Sequence, residues 1–355
     1  MEFSSRCRAH NLLLIGLAYA AVIAFGLYGR QFEPLTGDLT RIGWFAENEF
    51  GWSLPQRRFV PPLAAAATLD GRYDIIAVGD SFTAEEYNPG ITWPHFLARD
   101  TGAAIGIFDS GIDSLERVLA SPAWRDHPPA ALIYEIVERS LVPEHRAGDA
   151  GRCLATIATP LPVLAIAPRD IAAQIVTRPT SRGWDDWPAS YAMNYLLENA
   201  LRWWRGREAT SAVRLEMGEA GLFSSRHDRS LLVYAEDFNK ASWSMAEWRA
   251  AICDLARIQD RVEANGHTVF LAIIVPDKLT VYAPFLPDQR FAELSQLRLL
   301  DDIPSVNLVR VDRALDPRAR VDVYLPDDTH WSSATHEMAA EMVLRALLER
   351  SVAHR

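Results

Sequence analysis

Six short apolar runs recur along the chain. They are DIIAV (74–78), AAIGIF (103–108), AALIYEIV (130–137), LPVLAIA (161–167), TVFLAIIV (268–275) and VNLVRV (306–311). A run that is apolar at successive positions, rather than at alternate ones, is typical of a strand buried on both faces of a parallel sheet. Amphipathic segments lie between several of the runs, the clearest at 243–266 with a glycine near its end. The pattern predicts an α/β protein built on a doubly wound parallel sheet.

The interval between the fourth and fifth runs is too long for a simple crossover. It holds the aromatic-rich helical stretch RGWDDWPASYAMNYLLENALRWWRGR and the stretch LFSSRHDRSLLVY. We interpret residues from about 170 to 242 as an insertion that forms a cap or a wall of the site, inside a main domain at 73–355.

Two other segments frame that domain. Residues 37–56, GDLTRIGWFAENEFGWSLPQ, are rich in turn formers and aromatics, so residues 30–72 are expected to form an irregular extension. The segment from Ser332 to about Arg350 predicts an amphipathic helix with a serine cap at its start.

The N-terminus differs from the rest of the chain. No charge occurs from Asn11 to Gly29, and Arg6 and Arg8 precede this stretch. The length suits one membrane-spanning helix at 11–29, and the positive charges favour a cytoplasmic segment at 1–10. A cleavable signal peptide is the alternative, since small residues follow the apolar core, but the run is long for one. Either way we expect the body of the protein to be exported, to the periplasm if the host is Gram-negative. The uncleaved helix, which we favour, would anchor it in the inner membrane.

The net charge and the cysteine spacing limit which ligands the chain is expected to bind. The formal net charge of -10 argues against a nucleic-acid ligand. The three cysteines show no metal-ligand spacing. Cys153 and Cys253 could pair in an oxidising compartment, or both could be buried thiols.

Ser81 is the first candidate for chemistry. It lies just beyond the first predicted strand, in YDIIAVGDSFTAEE. Ligands of α/β sheets bind beyond the carboxyl ends of the strands, where a turn would expose this hydroxyl. A serine hydroxyl needs an adjacent base to become a nucleophile. A Gly-Asp-Ser turn by itself is more often an ordinary loop.

His330 is the candidate base. It stands immediately before the final predicted helix, in YLPDDTHWSS, after Asp327 and Asp328. Either carboxylate could orient the imidazole and stabilise its cationic form. A histidine in this position is more often a helix cap or a packed side chain. The hypothesis of a catalytic pair therefore depends on Ser81 and His330 occurring together.

These motifs resemble the SGNH hydrolase superfamily. GDSF (79–82) is similar to its first block, and DTHW (328–331) is similar to the acid–histidine block of its alginate O-acetyltransferase branch. The resemblance spans most of the chain from Asp74 onwards, and three further stretches strengthen it: YEIVERS (134–140), VPDKLTVYAPFLP (275–287) and LFSSRHDR (222–229).

The resemblance implies a role for each residue. Ser81 would be the nucleophile and His330 the general base and then acid. Generic SGNH hydrolases place the acid three residues before the histidine, which would select Asp327. The alginate branch places it two before, which selects Asp328, and the surrounding residues favour this branch. In alginate acetyltransferases the acid–histidine block precedes the serine block, whereas here it follows, and a triad is indifferent to that order.

The oxyanion donors follow the same comparison. The backbone N–H of Ser81 and that of Gly111, in DSGIDS, are candidates. The family's third donor is an asparagine after the third strand, where this chain has YEIVERS. Arg139 could replace it, or could instead form a salt bridge with Glu135 or Glu138.

Tryptophans are the candidates for sugar contacts. Trp331 adjoins the histidine and is a candidate substrate wall. The tryptophans of the insertion could stack on sugars, although helix packing is the commoner explanation: Trp184, Trp187, Trp203 and Trp204.

The resemblance implies an extracytoplasmic O-acetyltransferase that acetylates a polysaccharide through an acetyl-serine. The donor would be supplied by a membrane-bound O-acyltransferase, and no metal or cofactor is expected. The alternatives are a carbohydrate O-acetylesterase with the same triad and a non-catalytic subunit for polysaccharide export.

Overall fold

The computed structural model describes residues 2–29, 35–84, 90–109, 111–145, 166–178, 189–205, 210–302 and 306–352. The α-helices of these residues are α1 (Glu2–Gly29), α2 (Asp38–Gly43), α3 (Glu47–Phe50), α4 (Trp93–Thr101), α5 (Gly111–Ala120), α6 (Pro122–Asp126), α7 (Glu138–Glu144), α8 (Ala189–Arg205), α9 (Met245–Glu263), α10 (Lys278–Tyr282) and α11 (Ser333–Val352). The strands are β1 (Gln56–Arg58), β2 (Ala65–Ala66), β3 (Ile75–Gly79), β4 (Ile105–Asp109), β5 (Ala131–Val137), β6 (Gln174–Val176), β7 (Ala212–Glu216), β8 (Ser230–Tyr234), β9 (Val269–Val275) and β10 (Leu308–Val309). Short 3-10 helices connect several of them, at Ala235–Ser242, Ala283–Phe285, Gln289–Glu293, Leu297–Asp302 and Val311–Arg313.

The centre of the fold is a six-stranded sheet in the order β10-β9-β5-β3-β4-β2. All five strand pairs are parallel. Every residue of β3, β5 and β9 is buried, as expected for strands covered on both faces. The predicted doubly wound α/β fold is therefore confirmed.

Each face of the sheet has its own apolar layer. On one face, Phe96 of α4 and Val343 of α11 pack with strand residues such as Ile133. On the other, Trp248 of α9 and Leu115 of α5 pack with strand residues from the same sheet. Helix α9 begins with a capping box in which Ser244 and Glu247 each bond the other's backbone N–H, which fixes where the helix starts.

The N-terminal helix stands apart from these layers. Its segment His10–Gly29 is long and apolar enough to cross a membrane, and only 11% of it is buried within the protein. Its exposed large apolar side chains are leucines, isoleucines, tyrosines and Val22. Exposure of such a surface to water is unfavourable, whereas its exposure to the hydrocarbon core of a bilayer is favourable.

Three sequence expectations differ from the structure. Residues 37–56 are not wholly irregular, since α2 and α3 form there and lie against the main domain. The edge strand β2 also belongs to the extension predicted to be irregular. Of the strand expected at 161–167, residues 161–165 lie outside the described residues, and 166–167 are not in a strand.

The interval read as an insertion holds more strands than expected. Strands β7 and β8 form an antiparallel ribbon, and β6 pairs with β1 in a second one. Helix α8 lies between these strands in the chain. Cys253 is disulfide-bonded, while Cys153 lies outside the described residues.

Candidate active site

A tight turn places Ser81 at the carboxyl end of β3. The N–H of Phe82 donates to the Asp80 carboxylate at 3.0 Å, and the N–H groups of Thr83 and Ala84 donate to the Asp80 carbonyl. An aspartate that bonds the amide two residues on is a common way to stabilise a turn. The chain therefore leaves the sheet at Asp80 and presents the next side chain, Ser81, above it.

Gly79 makes this turn possible. A Cβ atom at this position would lie 2.4 Å from the Glu135 carboxyl oxygen and 2.5 Å from the Thr83 hydroxyl. That oxygen of Glu135 accepts from the Asp80 N–H at 3.0 Å and from the Thr83 hydroxyl at 2.9 Å. Burial, and then the nearby Asp80, raise the pKa of Glu135 well above its ordinary value. A carboxyl from the neighbouring strand β5 thus holds the turn from below.

His330 meets Ser81 from the other end of the chain. Its Nε2 atom lies 2.6 Å from the Ser81 Oγ atom. Its Nδ1 atom lies 2.5 Å from Oδ1 of Asp328, which also accepts the His330 backbone N–H at 3.0 Å. The three side chains form a continuous hydrogen-bonded row, in which the carboxylate orients the ring and the ring faces the hydroxyl.

The local electrostatics suit a base that becomes charged. Burial alone would lower the pKa of His330, but the Asp328 carboxylate outweighs it, with a smaller contribution from Asp38, and raises the pKa to about 8. Burial alone would raise the pKa of Asp328, but the charge of His330 outweighs it and lowers that pKa. The pair is therefore stabilised with a proton on the ring.

The two adjacent aspartates have different partners. Asp328 contacts the imidazole, whereas the Asp327 carboxyl accepts from the Thr36 hydroxyl at 3.2 Å. Burial, followed by repulsion from Glu47, raises the pKa of Asp327 well above its ordinary value. Of the two aspartates weighed from the sequence, the structure brings Asp328 to His330.

Lys278 holds the loop that carries both aspartates. Its ammonium group is buried and donates to the backbone carbonyls of Leu325, Pro326 and Asp328 at 2.8, 2.9 and 3.0 Å. Burial lowers its pKa to about 8, although the surrounding carboxylates oppose this shift. The lysine thereby fixes the loop in one shape.

Asp38 is a site residue that the sequence did not reveal. Its carboxylate accepts from the Thr329 N–H at 2.8 Å and from the Thr329 hydroxyl at 2.5 Å. It also lies 3.9 Å from Nδ1 of His330. Burial, and then Asp328, raise its pKa to about 6. Asp38 therefore positions the residue next to the histidine and adds negative charge beside the ring.

Asp38, Asp328 and His330 are also close enough to be considered as metal ligands, since one donor atom of each lies within 4.8 Å of the others. The hydrogen bonds described above use both ring nitrogens of His330 and both carboxylate oxygens of Asp38. These bonds hold the imidazole in one orientation.

The triad opens into a cavity of about 490 Å³. The turn after β3, the loop before α11 and the segment around α2 all contribute to its wall. Its lining residues are Thr36, Asp38, Arg41, Ile42, Asp80, Ser81, Asp109, Arg139, Tyr234, Asp328, Thr329 and His330.

Ser81 and Arg139, which carry two of the candidate oxyanion donors, line this cavity. The backbone N–H of Ser81 has no acceptor among the described residues. Arg139 lines the cavity, but it pairs with Asp277 at 3.2 Å and Asp237 at 3.6 Å rather than with either glutamate expected from the sequence. Burial would lower the pKa of Arg139, but these carboxylates outweigh it and raise that pKa. Within the described part of the chain its Nε and Nη2 atoms have no acceptor, so they can donate into the cavity.

Gly111, the third candidate, is the first residue of α5 and follows β4. Its detailed surroundings, like Ser110 before it, lie outside the described residues.

The expected role of Trp331 needs correction. Its side chain is buried in the core, with its ring 5.0 Å from that of Phe82 and 5.4 Å from that of His336. It therefore supports the turn from behind and does not form a wall of the cavity. Trp203 and Trp204 are 87% and 75% exposed, so helix packing does not explain them either. Trp184 and Trp187 lie outside the described residues.

Comparison with known protein families finds a match over part of the chain. Residues 231–355 match the family model described as the SGNH hydrolase-like domain of acetyltransferase AlgX. Over these residues the chain is similar to an SGNH hydrolase-like domain. The match supports the alginate O-acetyltransferase-like branch of that superfamily, as the GDSF and DTHW motifs indicated. No curated protein and no solved structure matches the chain significantly.

The matched segment runs from within β8 through α9, β9, α10 and β10 to α11, and includes the loop that carries Asp328 and His330. Ser81 lies outside it and is joined to it by the geometry of the site. The SGNH-like domain of this branch suggests a polysaccharide acetyltransferase type of function.

Proposed function

We propose that the chain is an extracytoplasmic O-acetyltransferase that acetylates the hydroxyl groups of a secreted or cell-surface polysaccharide through an acetyl-serine intermediate. The row Ser81–His330–Asp328, beside a cavity and in an SGNH hydrolase-like domain of the AlgX type, carries this proposal.

The first half-reaction transfers acetyl to the protein. His330 takes the proton of Ser81 through Nε2 while Oγ attacks the acetyl carbonyl. Asp328 stabilises the imidazolium that forms, and the N–H of Ser81 and the free nitrogens of Arg139 stabilise the oxyanion. His330 then returns the proton to the leaving group, and Ser81 remains acetylated.

The second half-reaction reverses these steps. A sugar hydroxyl enters the cavity, His330 removes its proton, and the alkoxide attacks the acetyl-serine carbonyl. The tetrahedral intermediate collapses with the proton returning to Ser81, and the acetylated sugar leaves. Water in place of the sugar would make the chain an esterase, so the outcome depends on which acceptor the cavity holds.

The N-terminal helix supports a proposal for the location of the chain. We propose that α1 anchors the chain in the inner membrane, with the α/β domain in the periplasm. An acetyl donor supplied by a membrane-bound O-acyltransferase would then reach the cavity near the bilayer.

The decisive experiment incubates the purified full chain with an activated acetyl ester, with and without candidate oligosaccharides. Masses of the products identify the acceptor. Acetylated sugar supports the proposal, whereas acetate alone in the presence of every sugar supports an esterase. Unchanged polymer acetylation after Ser81→Ala in the producing cell would support a non-catalytic role.

A further inference from the structure

Helix α8 exposes a continuous apolar face. Its outward residues recur at spacings of three and four, which places them on one stripe of the helix. The stripe consists of Met193, Leu196, Leu197, Ala200, Trp203 and Trp204. A water-soluble helix normally turns such a stripe toward the core, so this orientation requires a partner.

The opposite face of α8 is fixed to the wall of the cavity. The hydroxyl of Tyr191 lies 2.7 Å from the carbonyl oxygen of Thr40 and 2.9 Å from that of Phe45. The guanidinium of Arg202 lies 4.1 Å from the centroid of the Phe45 ring and donates to the Trp44 carbonyl at 3.3 Å. Rotating α8 to bury its apolar stripe would break these contacts, so the stripe is held outward.

The stripe adjoins the proposed membrane anchor. Helix α8 packs against α1, where Gly26 and Gly29 are buried within the otherwise exposed helix. Tyr28 is close enough to contribute to the raised pKa of Tyr195, after burial and Glu49. The middle of α8 therefore lies at the outer end of the apolar span.

The distance along the chain is also short. Thr36 lines the cavity and is only seven residues after Gly29, where α1 ends. Seven residues reach at most about 25 Å when fully extended. The cavity must therefore stay near the surface of the membrane that α1 crosses.

We propose that α8 is an interfacial helix that inserts its apolar stripe into the lipid headgroup region and fixes the cavity at a set position above the membrane. Tryptophans beside arginines at the end of the helix, as in LRWWR, suit the boundary between acyl chains and water. The proposal rests on the membrane anchoring by α1 put forward above, and not on acetyl transfer.

The test uses the full chain reconstituted in vesicles of neutral phosphatidylcholine. An environment-sensitive fluorescent amino acid is introduced genetically in place of Leu197 or, as a control, in place of His267. His267 is exposed in the turn before β9. This turn lies at the amino-terminal end of the strand, whereas the cavity lies at the carboxyl end of the sheet. With acyl-chain-brominated lipids, emission at position 197 should fall about twofold or more, and emission at position 267 should not change.

A second measurement needs no label. Brominated lipids should quench the intrinsic tryptophan emission of the unmodified chain, and most of that quenching should disappear in the variant W203F/W204F. Flotation of the same vesicles tests the anchor separately, and the acetyl-transfer assay tests the proposed function separately.

Unquenched emission at position 197 in a chain that floats with the vesicles would overturn the proposal. A change of the emission at position 197 that occurs only after a protein partner is added would also overturn the proposal. The stripe would then be a protein-binding face.

Discussion

Oδ1 of Asp328 lies 2.5 Å from Nδ1 of His330, while the carboxyl of its neighbour Asp327 faces away toward Thr36. Two acids that adjoin in the chain thus have separate tasks. One orients the base, and the other joins the loop to the segment that follows α1. This division makes a matched pair of substitutions informative.

Asp328→Asn should lower kcat of acetyl transfer by about 10⁴, because an amide cannot stabilise the imidazolium and favours the wrong tautomer. Asp327→Asn should leave kcat within about tenfold, since its carboxyl bonds the Thr36 hydroxyl and does not orient His330. Steady-state kinetics of the two purified variants gives the comparison. Equal losses would show that the acid is misassigned.

The pH dependence should report His330. A neutral ring is needed to accept the proton of Ser81, so kcat/KM should rise about tenfold per pH unit below pH 8 and level off above it. Asp38 helps raise the pKa of His330, so Asp38→Asn should move this limb to lower pH. Asp109→Asn, at another part of the cavity wall, is the control and should leave the limb in place. A limb that does not move in Asp38→Asn would refute this electrostatic role.

Gly79→Ala should destabilise the chain by about 1–3 kcal/mol, because the new Cβ would clash with Glu135 and Thr83. The same change at Gly218 meets only the Phe285 carbonyl oxygen at 3.5 Å, an ordinary contact, and should be well tolerated. Urea unfolding followed by circular dichroism measures both. A fully stable Gly79→Ala variant would mean that the turn relaxes easily.

A buried charge network supports the cavity from behind. The ammonium group of Lys240 has no solvent exposure and lies 3.1 Å from Glu138 and 2.6 Å from Asp277. Lys240→Met should cost about 3–5 kcal/mol, because it leaves carboxylates buried without their cation. Arg290→Met removes an exposed ion pair with Asp288 and should change the unfolding midpoint far less. Similar unfolding midpoints for the two variants would show that the buried ion pairs of Lys240 stabilise the chain no more than an exposed pair does.

The charge of the cavity should select the acceptor. Asp38, Asp80, Asp109 and Asp328 line it, against the arginines Arg41 and Arg139, and Arg139 is already paired. A polyuronate should therefore be a poorer acceptor than a neutral oligosaccharide of the same length, and the difference should shrink at high salt. Competition between the two acceptors, with mass detection of the acetylated products, measures the ratio. A preference for the uronate would contradict this expectation.

The strands were predictable because their sequence pattern is local. In β3, β5 and β9 nearly every residue is apolar, and a parallel sheet buries them on both faces. The turn at Ser81 and the loop at His330 were recognisable because each follows or precedes such an element. The contact between Ser81 and His330 was harder to predict. It could be expected only because a doubly wound sheet brings the carboxyl ends of its strands together.

The missed features depend on tertiary contacts. Asp38 comes from a segment without periodicity, and its place is set by the N–H groups of Leu39 and Thr40, which donate to the Asp327 carbonyl. The burial of Trp331 depends on Phe82, which is remote in the chain, and on His336, which lies five residues further on in α11. The sequence of α8 indicates an amphipathic helix, but which side faces outward depends on Tyr191 and Arg202 contacting residues near α2.

The central claim is that Ser81 carries the acetyl group. The most direct measurement is the mass of the full chain, and then of its proteolytic peptides, after brief exposure to an activated acetyl ester without acceptor. We predict one acetyl group on the peptide that contains Ser81, its transfer to an added acceptor, and its loss in Ser81→Ala. Steady acetyl transfer by a chain that never carries acetyl on that peptide, or by the Ser81→Ala variant, would contradict the account.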